Sequence, residues 1–144
     1  MIEHVDPPAI APPVSDVYHH VAIARAGTIV AIAGQIGVDA DGELVGVGDY
    51  EAQAEQAFRN FAQALAAVGC GPCDLLKNTI HVVGHRPELI EPIFAAGRRA
   101  FGGEWPCTAS TFLGVEALGL PEWLIEIDGL AVIPAPDDSS ASRV

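Results

Sequence analysis

Positive charge is scarce in this chain of 144 residues, where seven lysines and arginines stand against nineteen aspartates and glutamates, for a net charge of −12. The seven, Arg25, Arg59, Lys77, Arg86, Arg98, Arg99 and Arg143, are scattered rather than gathered into a stripe. Binding a nucleic acid depends on neutralising phosphates, so such a chain is repelled by a polyanion and no nucleic-acid partner is expected. Long hydrophobic runs are also missing. The apolar stretches at residues 29–36 and 124–133 have strand length, whereas a membrane-spanning helix needs about 18 or more apolar residues. No basic segment followed by an apolar core opens the sequence, so no secretory signal and no membrane partner are expected, and the expected location is the cytoplasm. Cysteine is sparse, with three in all. Half of the residues are apolar, enough for one compact domain to bury its core without disulfides.

Residues 1–16 hold Pro7, Pro8, Pro12 and Pro13 among small residues and read as an extended N-terminal arm. Residues 134–144 are polar and read as a flexible C-terminal tail. The single domain is expected between them, over residues 17–133. There, residues 17–24 alternate and residues 28–33 are apolar throughout, separated by Ala26-Gly27, which predicts a hairpin with a well-buried second strand. Asp41-Gly42 between Val38 and Leu44 predicts a second, short hairpin. Asp49 is placed to cap a helix whose first turns carry Glu51 and Glu55 and whose stripe is Ala54, Phe58, Phe61, Leu65 and Val68, ended by Gly69 and Gly71. Residues 75–83 read as a strand and residues 88–101 as a second amphipathic helix, with Pro92 tolerable only in its first turn. Residues 111–115 and 124–132 supply the last strands. This order predicts an α+β fold with helices on one face of the sheet.

Cys70-Gly-Pro-Cys73 has the spacing of a redox pair, but thioredoxins place it at the start of a helix after a strand, where the helix N-terminus lowers the thiol pKa. Here it follows a helix and precedes a strand, at the negative end, so a loop role is the better reading. Cys107 with a histidine makes a zinc site conceivable, yet no fourth ligand can be placed. His81 and His85 lack a ligand spacing of the His-Glu-x-x-His kind, so no metal and no cofactor are expected. In the last strand Ile125 and Ile127 point one way and Glu126 and Asp128 the other. Either these acids decorate a solvent or interface face, or Glu126 holds a water and serves as its general base or orienter.

Ala33-Gly34-Gln35-Ile36, the approach from Gly46 to Asp49, Leu76-Lys77-Asn78-Thr79, Phe101, Thr111-Phe-Leu-Gly-Val115, Leu118 and the segment from Leu124 to Val132 occur together in an order and spacing that resembles the RidA/YjgF (Rid) family. The resemblance covers roughly residues 17–133. It implies a chorismate-mutase-like α+β fold, a mixed sheet with two helices on one face, and homotrimers that bind small molecules in clefts between neighbouring subunits. Many such proteins hydrolyse reactive enamines and imines. By resemblance, Glu126 matches the water-handling glutamate, Gly34 beside Ala33 supplies a backbone amide to the ligand, and His20 falls where deaminases carry a tyrosine. Ser110, ahead of Thr111, stands where deaminases carry an arginine that grips the substrate carboxylate bidentately. Losing that arginine makes standard 2-imino acid deamination doubtful and predicts a neutral or cationic ligand, unless Arg98 or Arg99 reaches in. Some relatives have been called ribonucleases, against which the charge of this chain argues. Two functions follow: a Rid-type hydrolase of altered substrate range, with Glu126 catalytic and His20, Ala33, Gly34, Ser110 and Thr111 lining the site, or a non-catalytic homotrimer that binds a ligand or partner.

Overall fold

The computed structural model describes residues 2–135, so most of the expected tail, from residue 136 on, lies outside the described residues. Strands β1 (Ile2–Val5) and β2 (Val21–Ala24) form a small antiparallel ladder. Strand β3 (Thr28–Ile36), helix α1 (Tyr50–Ala67), strand β4 (Leu75–Val83), helix α2 (Ile90–Ala100), strand β5 (Ala109–Val115) and strand β6 (Ile125–Ile133) make the main body. Its sheet runs β3-β6-β4-β5, antiparallel except for the parallel β4–β5 pair.

Helix α1 starts where Asp49 accepts a hydrogen bond from the Ala52 amide at 3.1 Å, which satisfies one of the unpaired first-turn donors. Its stripe of Ala54, Phe58, Phe61 and Leu65 is buried, while Val68, the helix C-cap, is exposed. Helix α2 follows a 3-10 turn at Pro87–Leu89, so that Pro92 sits in the first turn, where its missing amide has no partner to lose. Both helices pack on one face of the sheet, against Ile80, Val82, Ile125 and Ile127. Phe61 is fully buried, and a Cβ added to Gly129 beside it would stand 2.9 Å from its ring. Phe61→Ala should therefore destabilise the fold by about 3–5 kcal/mol, read as a lower urea midpoint at unchanged slope.

Two expectations are corrected. Strand β2 does not pair with β3: it pairs with β1, which lies within the expected extended arm, and β3 pairs with β6. Nor is β3 well buried, since within one chain it is an edge strand with Ile29 69% exposed. The short hairpin is present as a bridge between Val38 and Leu44, with Gly42 taking the positive φ of 84° that its turn requires.

Two amides on α1 fix the ends of the strands that matter below. Buried Gln53 donates to the Gly46 and Glu122 carbonyls and accepts from the Leu124 amide, pinning the approach to β6. Asn60 donates to the Ile36 and Val38 carbonyls, pinning the end of β3.

Candidate functional site

In β6, Ile125 and Ile127 are fully buried against the helices, and Glu126 and Asp128 face away, onto the side of the sheet that no helix covers. Directly paired residues share a face, and the register sets His81 of β4 beside Glu126 and Thr79 beside Asp128. The parallel pairing then sets Thr111 of β5 beside Thr79. His81 Nδ1 lies 3.8 Å from Asp128 Oδ2 and 3.4 Å from the Glu126 carbonyl oxygen. Lys77, next along this face of β4, donates from Nζ to Thr111 Oγ1 at 2.5 Å and to the Asn78 carbonyl at 3.1 Å. Desolvation pulls the Lys77 amine below its ordinary pKa, opposed by the field of Asp128.

Strand β3 completes this surface through a bulge. Its register with β6 shifts between Ile32 and Gln35, so that Ala33 and Gly34 together stand opposite Asp128. Gly34 lies hard against the Glu126 side chain: an added Cβ would overlap Oε1 and stand 2.6 Å from Cδ and 2.9 Å from Cγ. The carboxylate thus occupies space that only a glycine leaves open.

The residues singled out from the sequence fall into two groups. Glu126, Ala33 and Gly34 come together, and Thr111 shares their face of the sheet. Ser110 turns the other way, with its hydroxyl donating to Oδ1 of fully buried Asn78 at 2.5 Å. Ser110 and Thr111 also border a cavity of about 500 Å³ between the outer side of β5, α2 and the segment before β2, lined further by Val17, Tyr18, Ile90 and Phe94. His20 belongs to that outer side. Its neighbour His19 bridges to Ala109 beyond β5, its own amide donates to Asp6 Oδ1, and its ring Nε2 lies 2.8 Å from the Ala11 carbonyl oxygen. At about 4.8 Å per strand step, His20 and Glu126 stand roughly three steps apart within one protomer.

Lys77, Thr79 and His81 were not singled out as site residues, although they are polar at every second position of β4, with Ile80 and Val82 on the alternate positions that follow Asn78, a weaker form of the signal that singled out Glu126 and Asp128. His85 does not join His81; its ring packs edge-on against Phe112 with centroids 5.1 Å apart. Arg99 is held by Glu51 and Glu55 of α1, and Arg98 by Glu91, so neither reaches the open face. Burial and the nearby Asp74 raise the Cys70 thiol pKa, which disfavours a reactive thiolate. Among the described residues no three of His, Cys, Asp and Glu gather as metal ligands, and no helix is long and apolar enough to cross a membrane.

Residues 9–133 match the family model described as endoribonuclease L-PSP. The chain is 33% identical over 105 residues to a RutC family protein of Synechocystis, covering 71% of this chain and 76% of that protein. The chain belongs to the Rid/YjgF family. A Rid family protein of unknown function from Yersinia pestis superposes with a TM-score of 0.82 at 35% identity, covering 92% of this chain and 98% of that one. A YjgF/YER057c/UK114 family member from Mycobacterium tuberculosis does so with a TM-score of 0.58 at 27% identity, covering 81% and 86%. The α+β fold of this Rid protein, two helices on one face of a mixed sheet, is that of its structural neighbours.

Proposed function

We propose that this Rid protein hydrolyses an imine, enamine or related reactive small metabolite, as a homotrimer in which Glu126 and Gly34 of one protomer meet the cavity bordered by Ser110 and Thr111 of its neighbour, with His20 on the same outer side of β5. The observation that carries the proposal is the Glu126 carboxylate, set on the open sheet face against a glycine. There a water can bridge it to a substrate carbon without competition from a side chain at position 34. The exposed edge strand β3, with Ile29 in solvent in the single chain, supports closure by another protomer. In the reaction, an enamine first tautomerises to the imine, and protonation gives the iminium. Water attacks its carbon while Glu126 takes a proton from the water. That proton passes to nitrogen, Glu126 then takes the hydroxyl proton as the C–N bond breaks and the C=O bond forms, ammonia leaves, and Glu126 returns its proton to solvent. The negative carboxylate also stabilises the iminium cation.

A non-catalytic trimer that binds a ligand or a partner is the alternative, favoured by the Ser110 hydroxyl being spent on Asn78. The test generates 2-aminoacrylate in situ with a dehydratase and follows pyruvate with and without the protein. Faster release of pyruvate, or of the carbonyl product from another amino-acid-derived imine, is the expected result. No acceleration with any of them overturns the hydrolase and leaves the binding trimer.

A further inference from the structure

We infer that a second small-molecule site, at the start of β4 and far from the Glu126 face, takes an organic cation with an aromatic or branched alkyl body. It does not depend on the hydrolytic role proposed above.

The site is a cavity of about 830 Å³, within the size range of small-molecule pockets. Three stretches of chain enclose it: strand β1, the 3-10 turn Pro72–Asp74 that leads into β4, and the segment from Phe101 to Cys107 that leads into β5. Leu75 on its lining and His81 beside Glu126 both belong to β4, where a rise of 3.3 Å per residue sets them about 20 Å apart. The two sites are therefore distinct.

Most of the lining is apolar and held in place by the fold. Ile2 and His4 alternate with Glu3 along β1, so both turn the same side of that strand to the cavity. Trp105 and Phe101 supply an aromatic wall, with their rings edge-on and centroids 5.7 Å apart. The Trp105 indole is fixed, since its N–H donates to the Val17 carbonyl at 2.8 Å. Such a preformed wall receives an apolar body at little cost in ordering.

The charge of the lining sets the sign of the ligand. Asp74 and Glu104 border the cavity, and no lysine or arginine does so among the described residues. One Asp74 oxygen accepts from the Gly71 amide at 2.8 Å, whereas Glu104 has no hydrogen-bond or ion-pair partner among the described residues. His4 adds no compensating charge at neutral pH, because desolvation and the neighbouring His19 hold its pKa below the ordinary value against the pull of Asp6. The Cys107 thiol, also on the lining, has its pKa raised by burial and then by the fields of Asp16 and Asp6, so acids outside the lining add to the negative potential. An anion is repelled from such a cavity. An ammonium seated by Glu104 and Asp74, with its apolar body on Trp105 and Phe101, satisfies both halves of the lining. The donor side chains do not gather on one point as ligands of a metal ion, which makes the cation an organic one.

The test titrates the full-length protein at neutral pH with 2-phenylethylammonium, its isosteric alcohol 2-phenylethanol and the anion 3-phenylpropionate, and follows the indole N–H resonances of Trp105 and Trp123. The ammonium should bind about tenfold or more tighter than the alcohol or the anion, shifting the Trp105 signal and leaving that of Trp123 in place. Glu104→Gln should lose this preference; Glu104 is exposed and outside the core, so the fold stays intact. Glu43→Gln, which removes an exposed carboxylate elsewhere, should keep it. Ammonium binding no tighter than that of the alcohol, a preference unchanged in Glu104→Gln or equally lost in Glu43→Gln, or a response at Trp123 without one at Trp105 overturns the inference. Ammonium binding that appears only in Arg143→Gln would assign the acids to a cation of the chain itself and overturns it as well.

Discussion

Glu126→Gln should lower kcat for imine hydrolysis by about 10²- to 10⁴-fold, the usual contribution of a positioned general base, with little change in KM or in folding stability. The amide has nearly the shape of the acid and still hydrogen-bonds a water, but it cannot take the proton that attack releases. The side chain is half-buried on the uncovered face and has no role in the helix-side core, so the fold does not depend on its charge. Asp128→Asn is the control. Asp128 is 41% exposed and stands in the row of Thr79 rather than that of Glu126, and its replacement should leave kcat within about tenfold, because it only shapes the field. Full activity in Glu126→Gln would remove the proposed mechanism.

Gly34→Ala should cost activity on the order of 10²-fold, the penalty of misplacing a reacting group by about 1 Å. The new methyl group would overlap Glu126 Oε1 and crowd Cδ and Cγ. The backbone is not at issue, since Gly34 is not among the glycines with positive φ. What must give is the far end of a flexible side chain, so folding stability should change by no more than about 1 kcal/mol. The double variant Gly34→Ala/Glu126→Gln checks the cause: if the methyl group acts by displacing the carboxylate, it adds almost nothing once the carboxylate is gone. Independent, additive losses would mean that Gly34 acts by another route.

Elements with strong local periodicity were legible in the sequence. The α1 stripe, the Asp49 cap, strand β4 and the opposed faces of β6 follow from spacing alone, because each is decided by neighbours within a few residues. Pairing over long separations was not. Residues 17–33 read as a hairpin because their strands adjoin, yet β3 joins β6, and nothing in the local pattern of either strand names the other. The apolar run of β3 implies cover on both faces, which a single chain does not provide. Ser110 was placed by resemblance, and its direction depends on the parallel register that ties it to Asn78. Lys77, Thr79 and His81 carry a readable alternation, but it becomes a site only when β4 is set beside β6.

The bulge at Ala33 and Gly34 has a consequence for comparing this protein with its relatives. Past that point the odd and even positions of β3 exchange sides, so Gln35 and Ile36 present themselves opposite to what counting from Thr28 forecasts. A relative lacking one residue there keeps the same letters downstream while showing a neighbouring molecule the reverse set of side chains. Alignments that slide a gap freely through this short segment will therefore transfer contacts to the wrong surface.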